Sequence, residues 1–334
     1  MQLLPRWLLG SAAALVLAGP AAAAPAGETI VSALAGPPSA TFLARIRAGE
    51  MGGVILTHRW TPAEFSATTA KLHAVSCEIG RPLLVFVDQE GGAIRRLTWA
   101  PPSHSARELG RLGVEQTRTE AAAAASALRR ASVDVDLAPV ADTLGPGGFL
   151  GDRSFGSNPS VVAQLAATFI RAMQAGRVAA TAKHFPGLGA ARRSTDDALV
   201  SVRTTPLAPF RSAIAAGAKL VMVSNASYPK LDPSGTPAVF SDSIVSGLLR
   251  GTLGFRGTVI SDALNAPAPY RTPDAPGRAL AAGVDILLYT DSAQAHFGYN
   301  ELTADAQRSA ATRAQLARAV AHIRALRTWL GRTC

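Results

Sequence analysis

Eight short apolar runs, separated by stretches with helical character, constrain the fold of this 334-residue chain more than any other feature. Most of the runs lack polar alternation, which is typical of parallel strands buried on both faces. Helix signals lie between them, such as Thr61-Pro62, an N-cap residue followed by proline at the first helical position. The runs span residues 29–34, 53–57, 83–88, 133–139, 180–185, 220–224, 258–262 and 284–290.

Eight strands that alternate with helices predict a (β/α)8 barrel, an α/β fold of one domain. The alternative is an open, doubly wound parallel sheet. No G-x-G-x-x-G follows the first run, and polar residues collect where several runs end, which is where a barrel keeps its active site. The barrel is therefore the preferred prediction. The predicted helices span residues 62–79, 116–131, 160–175, 206–216, 242–249 and 304–330.

The first 24 residues have the three parts of a cleavable signal peptide. Arg6 supplies a positive charge, residues 7–17 are apolar, and Gly19-Pro20 leads into an alanine-rich cleavage region. A membrane anchor is the alternative, but the run is shorter than the roughly 20 residues that a span needs. We therefore expect a signal peptide at 1–24, a barrel domain at 25–334, no stable membrane insertion, and a secreted or cell-envelope protein.

The net charge and the cysteine content limit which classes of partner and which covalent cross-links the protein can have. Lys and Arg number 33 against 23 Asp and Glu, a net charge of +10, which favours anionic surroundings. The arginines are scattered and no zinc-finger spacing occurs, so we expect no nucleic-acid partner. In an oxidising compartment the two cysteines permit one disulfide, Cys77–Cys334, and two free thiols are the alternative.

Four polar motifs follow or end apolar runs. Carboxylates placed against a barrel core are costly, which favours ligand binding over ordinary turns. Each motif alone has a plain structural explanation: a turn, a solvated ion pair, a core histidine or a helix cap. The motifs are Asp88-Gln89-Glu90-Gly91-Gly92, Gly151-Asp152-Arg153-Ser154-Phe155-Gly156, Lys183-His184-Phe185-Pro186-Gly187 and Ser261-Asp262.

In this order the motifs resemble those of glycoside hydrolase family 3, most of all its short, one-domain bacterial β-N-acetylglucosaminidases. The resemblance covers nearly all of the chain after residue 24 and includes residues 137–142 and 248–257. It implies a (β/α)8 barrel, a carbohydrate substrate, and chemistry that needs no metal and no organic cofactor.

The resemblance also implies the roles of the site residues. Asp262 matches the nucleophile of the family, which forms a glycosyl-enzyme intermediate. The residues that match those holding the sugar in the −1 site are Asp88, Arg96, Arg153, Lys183 and His184.

The acid/base residue departs from the family pattern. Members of the hexosaminidase branch usually carry Asp-Ser-His in the loop after Lys-His-Phe-Pro-Gly, and this chain has Ser194-Thr195-Asp196 there. Three explanations compete: Asp196 or Asp197 is a carboxylic acid/base, another segment supplies it, or the protein binds sugar without turnover. We favour Asp196, since paired carboxylates are the usual arrangement in retaining glycosidases.

The expected function is that of an exported retaining β-N-acetylhexosaminidase that releases terminal N-acetylglucosamine, with peptidoglycan fragments as the expected source. One alternative is a β-glucosidase. The other is a catalytically silent sugar- or wall-binding protein. No G-x-S-x-G nucleophile elbow supports an open-sheet hydrolase.

Overall fold

The computed structural model describes residues 25–203 and 205–334, so the predicted signal peptide at 1–24 lies outside the described residues. Eight parallel strands form one sheet in the order β10-β1-β2-β3-β6-β7-β8-β9, and a parallel bridge from Ile260 to Ile286 joins the last strand to the first. The predicted (β/α)8 barrel is therefore confirmed. Its strands are β1 Ile30–Leu34, β2 Gly53–Leu56, β3 Leu84–Val87, β6 Val135–Asp136, β7 Ala179–Phe185, β8 Leu220–Val223, β9 Thr258–Ser261 and β10 Leu287–Tyr289, and a small antiparallel pair, β4 Gln89–Gly91 and β5 Ile94–Arg95, follows β3.

All eight predicted apolar runs contain a barrel strand, because their side chains are buried on both faces. One set of residues, including Val31, Phe86 and Ile260, fills the barrel interior. The neighbouring residues, such as Val85 and Val259, belong to a second cluster between the strands and the surrounding helices. This alternation with a period of two lets the strand ends present side chains into the mouth of the barrel.

The helices agree with the sequence in most places. Thr61 caps the helix that begins at Pro62, as predicted, and its hydroxyl accepts a hydrogen bond from the backbone N–H of Glu64. The α-helices are α1 Ala26–Thr29, α2 Ala40–Arg47, α3 Pro62–Cys77, α4 Ala106–Leu112, α5 Val114–Arg130, α6 Pro159–Ala175, α7 Ala208–Ala215, α8 Pro267–Tyr270, α9 Ala275–Ala282, α10 Ser292–Arg308 and α11 Ala310–Leu330.

Two helix predictions were wrong in detail. The single helix predicted at 304–330 is two helices, because Ser309 has extended backbone angles and its hydroxyl caps α11 by accepting from the N–H of Thr312. The helix predicted at 242–249 is a π-helix, Ser243–Thr252. The break at Ser309 arises because a serine hydroxyl favours a cap position over a helix interior.

The C-terminus is tied to the barrel by a disulfide between Cys77 and Cys334, whose Cα atoms lie 5.3 Å apart. Close by, the guanidinium of Arg332 pairs with the buried carboxylate of Asp134. Of the two alternatives that the sequence left open, the disulfide is the one present, and it holds the end of α3 against Cys334. Within the described residues, no helix has the length and apolar character needed to cross a membrane.

Replacing both cysteines by serine is expected to lower the free energy of unfolding. The bridge joins residues 257 positions apart, and in the chain-entropy model a loop this long contributes at most about 5.5 kcal/mol. Thermal unfolding of the double variant without reductant measures the loss. Wild type treated with reductant is the matched control and should show the same decrease, and equal melting of oxidised and reduced wild type would contradict the prediction.

Candidate active site

A cavity of about 370 Å³ opens where the barrel strands end at their carboxyl side. Its volume lies in the range of small-ligand sites, and its position is the one that barrel enzymes use. The structure brings together every site residue predicted from the sequence, while the role of each stays a prediction. The seven that line the cavity are Asp88, Arg96, Arg153, Lys183, His184, Asp196 and Asp262.

The first motif, at residues 88–92, folds as a tight turn that presents its carboxylates. Gln89 is fully buried, and its side-chain amide donates to the backbone oxygens of Leu97 and Ala100, which holds the following loop against the barrel. Gly91 has a φ of +101°, and a Cβ there would come within 2.2 Å of the backbone oxygen of His104. Gln89 and Gly91 therefore shape the turn, and the carboxylates of Asp88 and Glu90 face the cavity.

Two successive residues of β7 reach the cavity. The pairing of β7 with β8 shifts register between Ala182 and Phe185, and both Lys183 and His184 line the cavity. Neighbouring strand residues normally point to opposite faces, so an irregularity at this point is what allows both to do so.

Lys183 is the centre of a buried ion cluster. Its Nζ lies 2.8 Å from Oδ1 of Asp88 and 2.7 Å from Oε1 of Glu90. The guanidinium of Arg96 lies 4.0 Å from Oδ2 of Asp88. Although burial alone would lower the pKa of Lys183, the two carboxylates raise it above its ordinary value. The lysine therefore stays charged and holds Asp88 in place.

Glu90 is a buried carboxylate to which the sequence analysis gave no role. Arg153 donates to it twice, from Nε and from a terminal nitrogen, both at 2.8 Å. Burial would raise the pKa of Glu90, but the charges of Lys183 and Arg153 outweigh burial and lower it to about 2. Glu90 therefore remains a carboxylate that fixes the two cations around the cavity.

His184 is oriented by Asp142, which lies in the loop after β6. Its Nδ1 lies 2.7 Å from Oδ2 of Asp142, and the same oxygen accepts from the backbone N–H of His184 at 3.0 Å. The other oxygen of Asp142 accepts from the N–H of Leu188 at 2.5 Å. Because Asp142 uses Nδ1, the opposite ring nitrogen is the one left for a ligand.

Asp136 ends β6 inside the barrel as a fully buried carboxyl. Its Oδ1 accepts from the backbone N–H of Gln89 at 2.9 Å, and its Oδ2 has no hydrogen-bond partner among the described residues. Burial raises the pKa of Asp136 to about 8, the nearby charge of Lys183 opposes this, and the carboxylates of Asp88 and Glu90 add to it. Asp136 is therefore mostly neutral at pH 7 in the folded protein.

Replacing Asp136 by asparagine is expected to stabilise the protein increasingly as pH rises from about 4 to about 8. Between about pH 4 and pH 8 the unfolded chain loses a proton that folded Asp136 keeps, so wild-type stability falls as pH rises through this window. The amide keeps the acceptor for Gln89 and removes this cost. We expect equal melting temperatures at pH 4 and a gain of about 5 °C or more at pH 8.

Thermal unfolding across the pH range checks this prediction, with Asp242→Asn as the control, because Asp242 is exposed. A constant difference between the Asp136 variant and wild type at every pH would contradict it.

Asp262 follows β9 and is held from its backbone side. Its N–H donates to the backbone oxygen of Val223 at 2.9 Å, and its Oδ1 accepts from the N–H of Ala263 at 2.8 Å. The hydroxyl of Thr195 lies 3.5 Å from Oδ2. Among residues 25–203 and 205–334 no cation forms an ion pair with this carboxylate. One of its oxygens is thus anchored, while the other has only a long contact and is available for attack on a substrate.

Asp196 lies at the exposed rim of the same cavity, on the loop after β7. The hydroxyl of Ser194 donates to its Oδ2 at 3.2 Å and accepts from its N–H at 3.1 Å. Partial burial, together with the negative charge of Asp262, raises the pKa of Asp196 above its ordinary value. Asp197 is exposed and does not line the cavity, so Asp196 is the one of the two neighbours that faces it.

The site contains residues to which sequence reasoning gave no role. Glu90 and Asp142 both lay in quoted segments, and the signal that could have found Glu90 is the need of buried Lys183 and Arg153 for counter-charges. Thr195 is buried beside Asp262, and its part in the site depends on a loop contact that spacing alone does not reveal.

Known proteins share both the sequence and the fold. The family model described as "Glycosyl hydrolase family 3 N terminal domain" matches residues 31–326. A protein named "Beta-hexosaminidase" from Stenotrophomonas maltophilia (strain R551-3) is 35% identical over 260 residues, which cover 71% of this chain and 76% of the relative.

Two solved structures are similar to this chain with a TM-score of 0.84 and 30% sequence identity. One is the β-N-acetylhexosaminidase from Beutenbergia cavernae DSM 12333, and the match covers 91% of this chain and 97% of that protein. The family 3 β-N-acetylglucosaminidase from Paenibacillus sp. str. FPU-7 is matched by 92% of this chain, which spans only 62% of that longer protein. Since the family model covers most of the chain, the protein belongs to glycosyl hydrolase family 3 and is a glycoside hydrolase.

Proposed function

We propose that the protein is a retaining β-N-acetylhexosaminidase that hydrolyses the bond of a terminal β-linked N-acetylglucosamine. The observation that carries this proposal is the placement of Asp262 in one cavity with Asp88 and Lys183, in a chain similar to proteins named β-hexosaminidase. A carboxylate aimed into a pocket of hydrogen-bonding charges is the arrangement that attack on a sugar requires.

The sugar would be held by groups that the ion cluster has already oriented. Asp88 keeps one oxygen on Lys183 at 2.8 Å and offers the other to hydroxyl groups of the sugar. Arg96 and Arg153 line the same cavity and present N–H donors for hydroxyls and for the acetamido oxygen. Because these contacts exist before the ligand arrives, little ordering of side chains is needed on binding.

In the first step, an oxygen of Asp262 forms a bond with the anomeric carbon, and the bond from that carbon to the leaving oxygen breaks. Asp196, protonated, gives its proton to the leaving oxygen, so that the aglycone departs as an alcohol. The raised pKa of Asp196 increases the fraction that holds a proton near neutral pH.

In the second step, the Asp196 carboxylate takes a proton from water while the water oxygen bonds to the anomeric carbon. The ester bond to Asp262 breaks, and both carboxyl groups return to their starting states. The loss of the negative charge of Asp262 in the intermediate lowers the proton affinity of Asp196, which suits its change from acid to base.

We also propose that the protein is exported by its first 24 residues and acts on peptidoglycan fragments. The charge of +10 supports work near an anionic wall. The mass of the protein recovered from the source cells, shorter by 24 residues, would test the export.

A panel of aryl glycosides tests the activity: the N-acetylglucosaminide, glucoside, xyloside and N-acetylgalactosaminide. We expect the N-acetylglucosaminide to be cleaved fastest, and N-acetylglucosamine to be released from a wall-derived disaccharide. Preferred cleavage of the glucoside would instead identify a β-glucosidase. Saturable sugar binding without any turnover would identify a sugar-binding protein and would overturn the proposal.

A further inference from the structure

A second cavity of about 330 Å³ lies on the outer side of the wall that carries Asp262. In β10, Leu288 lines the catalytic cavity, and Tyr289, its neighbour, lines the second. Ala263 and Leu264 divide in the same way after β9. The two cavities are therefore separated by the ends of β9 and β10, and the catalytic residues described above do not line the second one.

Two exposed aromatic side chains stand at this second cavity. Tyr270, at the end of α8, is 67% exposed, and Phe297, in α10, is 63% exposed. Exposure of an aromatic ring to water is unfavourable relative to its burial against another apolar surface. A pair of them at one concave site is typical of surfaces that bind a ligand ring or a cation.

A tyrosine hydroxyl also opens into this cavity without a partner among the described residues. Tyr289 is only 5% exposed, yet its hydroxyl makes no hydrogen bond with any described residue. The oxygen lies against Gly298, where a Cβ would come within 2.2 Å of it. Burial, and then the charge of Glu301, raise the pKa of Tyr289, so the hydroxyl keeps its proton and is a donor. Because this oxygen is not among the enclosed polar atoms of the described residues, it opens into the cavity, where an oxygen of a ligand can accept from it in place of water.

Carboxylates give the cavity a negative character. Asp274 and Glu301 line it. Burial raises the pKa of both, and the charge of Asp305 raises both further. The neighbouring arginines do not cancel this effect, since Arg308 is paired with Asp305 at 2.5 Å and Arg278, which also packs over Phe240, lowers the pKa of Asp274 only in part.

The cationic residue Arg271 lies at the exposed edge of the cavity. Burial is the largest cause of the raised pKa values of Asp274 and Glu301, and the charges of neighbouring carboxylates add to it, so these neighbours make the potential at the two carboxyls negative despite Arg271. The cavity thus favours a positive ligand group and disfavours an anionic one.

We propose that this cavity is a second saccharide site, specific for an amino sugar with a free ammonium group, such as a deacetylated glucosamine unit. The ammonium would lie between Asp274 and Glu301, the sugar ring against Tyr270 and Phe297, and a ring hydroxyl would accept from Tyr289. A saccharide is the occupant because the other side of the same wall binds one, so this inference rests on the proposed function.

Calorimetric titration of the full-length Asp262→Ala variant, with its catalytic cavity saturated by N-acetylglucosamine, tests the proposal. The ligands are the β-1,4 dimer of glucosamine and the same dimer in its N-acetylated form, which this variant does not hydrolyse. We expect the free-amine dimer to bind at least tenfold more tightly. Phe297→Ala and Glu301→Gln should each weaken it tenfold or more, and Tyr289→Phe should weaken it several-fold. With Asp262 intact, the rate on an aryl N-acetylglucosaminide should be unchanged in all three variants.

Matched controls come from the same chain. Leu112→Ala removes an exposed apolar side chain from α4, and Glu115→Gln removes an exposed carboxylate from α5; neither should affect binding. Absence of binding, equal affinity for the two dimers, unchanged affinity in the cavity variants, or tighter binding of a lysine-bearing peptide would each overturn the proposal. If the proposed function were wrong, a separate observation would show it, because the wild-type protein would not hydrolyse the aryl N-acetylglucosaminide.

Discussion

Replacing Asp262 by alanine is expected to lower kcat/KM for an aryl N-acetylglucosaminide by about 10⁴-fold or more. The carboxylate supplies the electron pair for the new bond to the anomeric carbon, and the other carboxylates of the cavity are paired with cations or, like Asp196, lie at the exposed rim. Asp88 is paired with Lys183, and Glu90 is paired with Lys183 and Arg153. The fold should persist, because the variant keeps the backbone hydrogen bond from residue 262 to Val223.

Asp197→Ala is the control for removing a carboxylate near the site, and it should keep nearly full activity because Asp197 does not line the cavity. Binding of free N-acetylglucosamine to Asp262→Ala should remain, since the contacts that hold the sugar are untouched. Activity within tenfold of wild type would contradict the assignment.

The covalent step has an independent measurement. A fluorinated substrate analogue that slows hydrolysis of the intermediate should add the mass of one sugar to the peptide that contains Asp262. Attachment to any other residue would move the nucleophile elsewhere in the cavity.

The barrel could be predicted because each strand leaves a local mark in the sequence. Strands buried on both faces, such as β3 and β8, are continuous apolar runs bounded by polar turns. The break at Ser309 left a weaker mark, since a serine within an arginine-rich helical pattern is compatible with either a cap or an interior position. The π-helix Ser243–Thr252 has the same apolar pattern as an α-helix, so periodicity does not distinguish the two.

The candidate site was predicted from residues at strand ends, but its pairings were not. Lys183 is expected to contact the sugar, and that role stays a prediction, but its place between the carboxylates of Asp88 and Glu90 was not foreseen. Such pairs join residues about 95 positions apart, and they depend on how the strands neighbour one another around the barrel. The second cavity was missed for the same reason, because Tyr270, Tyr289 and Phe297 form no motif in the sequence.

Replacing Asp196 by alanine is expected to lower turnover of substrates with poor leaving groups by about 10²–10⁴-fold. Departure of an alcohol needs a proton that the variant does not provide. An activated aryl glycoside, whose phenolate leaves without a proton, should form the intermediate at nearly the wild-type rate. Steady-state kinetics on a natural disaccharide and on a nitrophenyl glycoside measure the contrast.

The pH profile separates this role from a structural one. A general acid acts in its protonated form, so wild-type kcat/KM on the disaccharide should fall as pH rises through the raised pKa of Asp196. In Asp196→Ala this decrease should disappear. Azide, which attacks the anomeric carbon without losing a proton, should restore turnover of the intermediate in the variant by displacing the Asp262 carboxylate and giving a glycosyl azide. Unchanged disaccharide turnover in Asp196→Ala, or the same defect in Asp197→Ala, would show that the acid/base lies elsewhere. The leaving-group contrast, the lost decrease with pH and the rescue by azide should occur together only where the residue removed is the one that reaches the leaving oxygen.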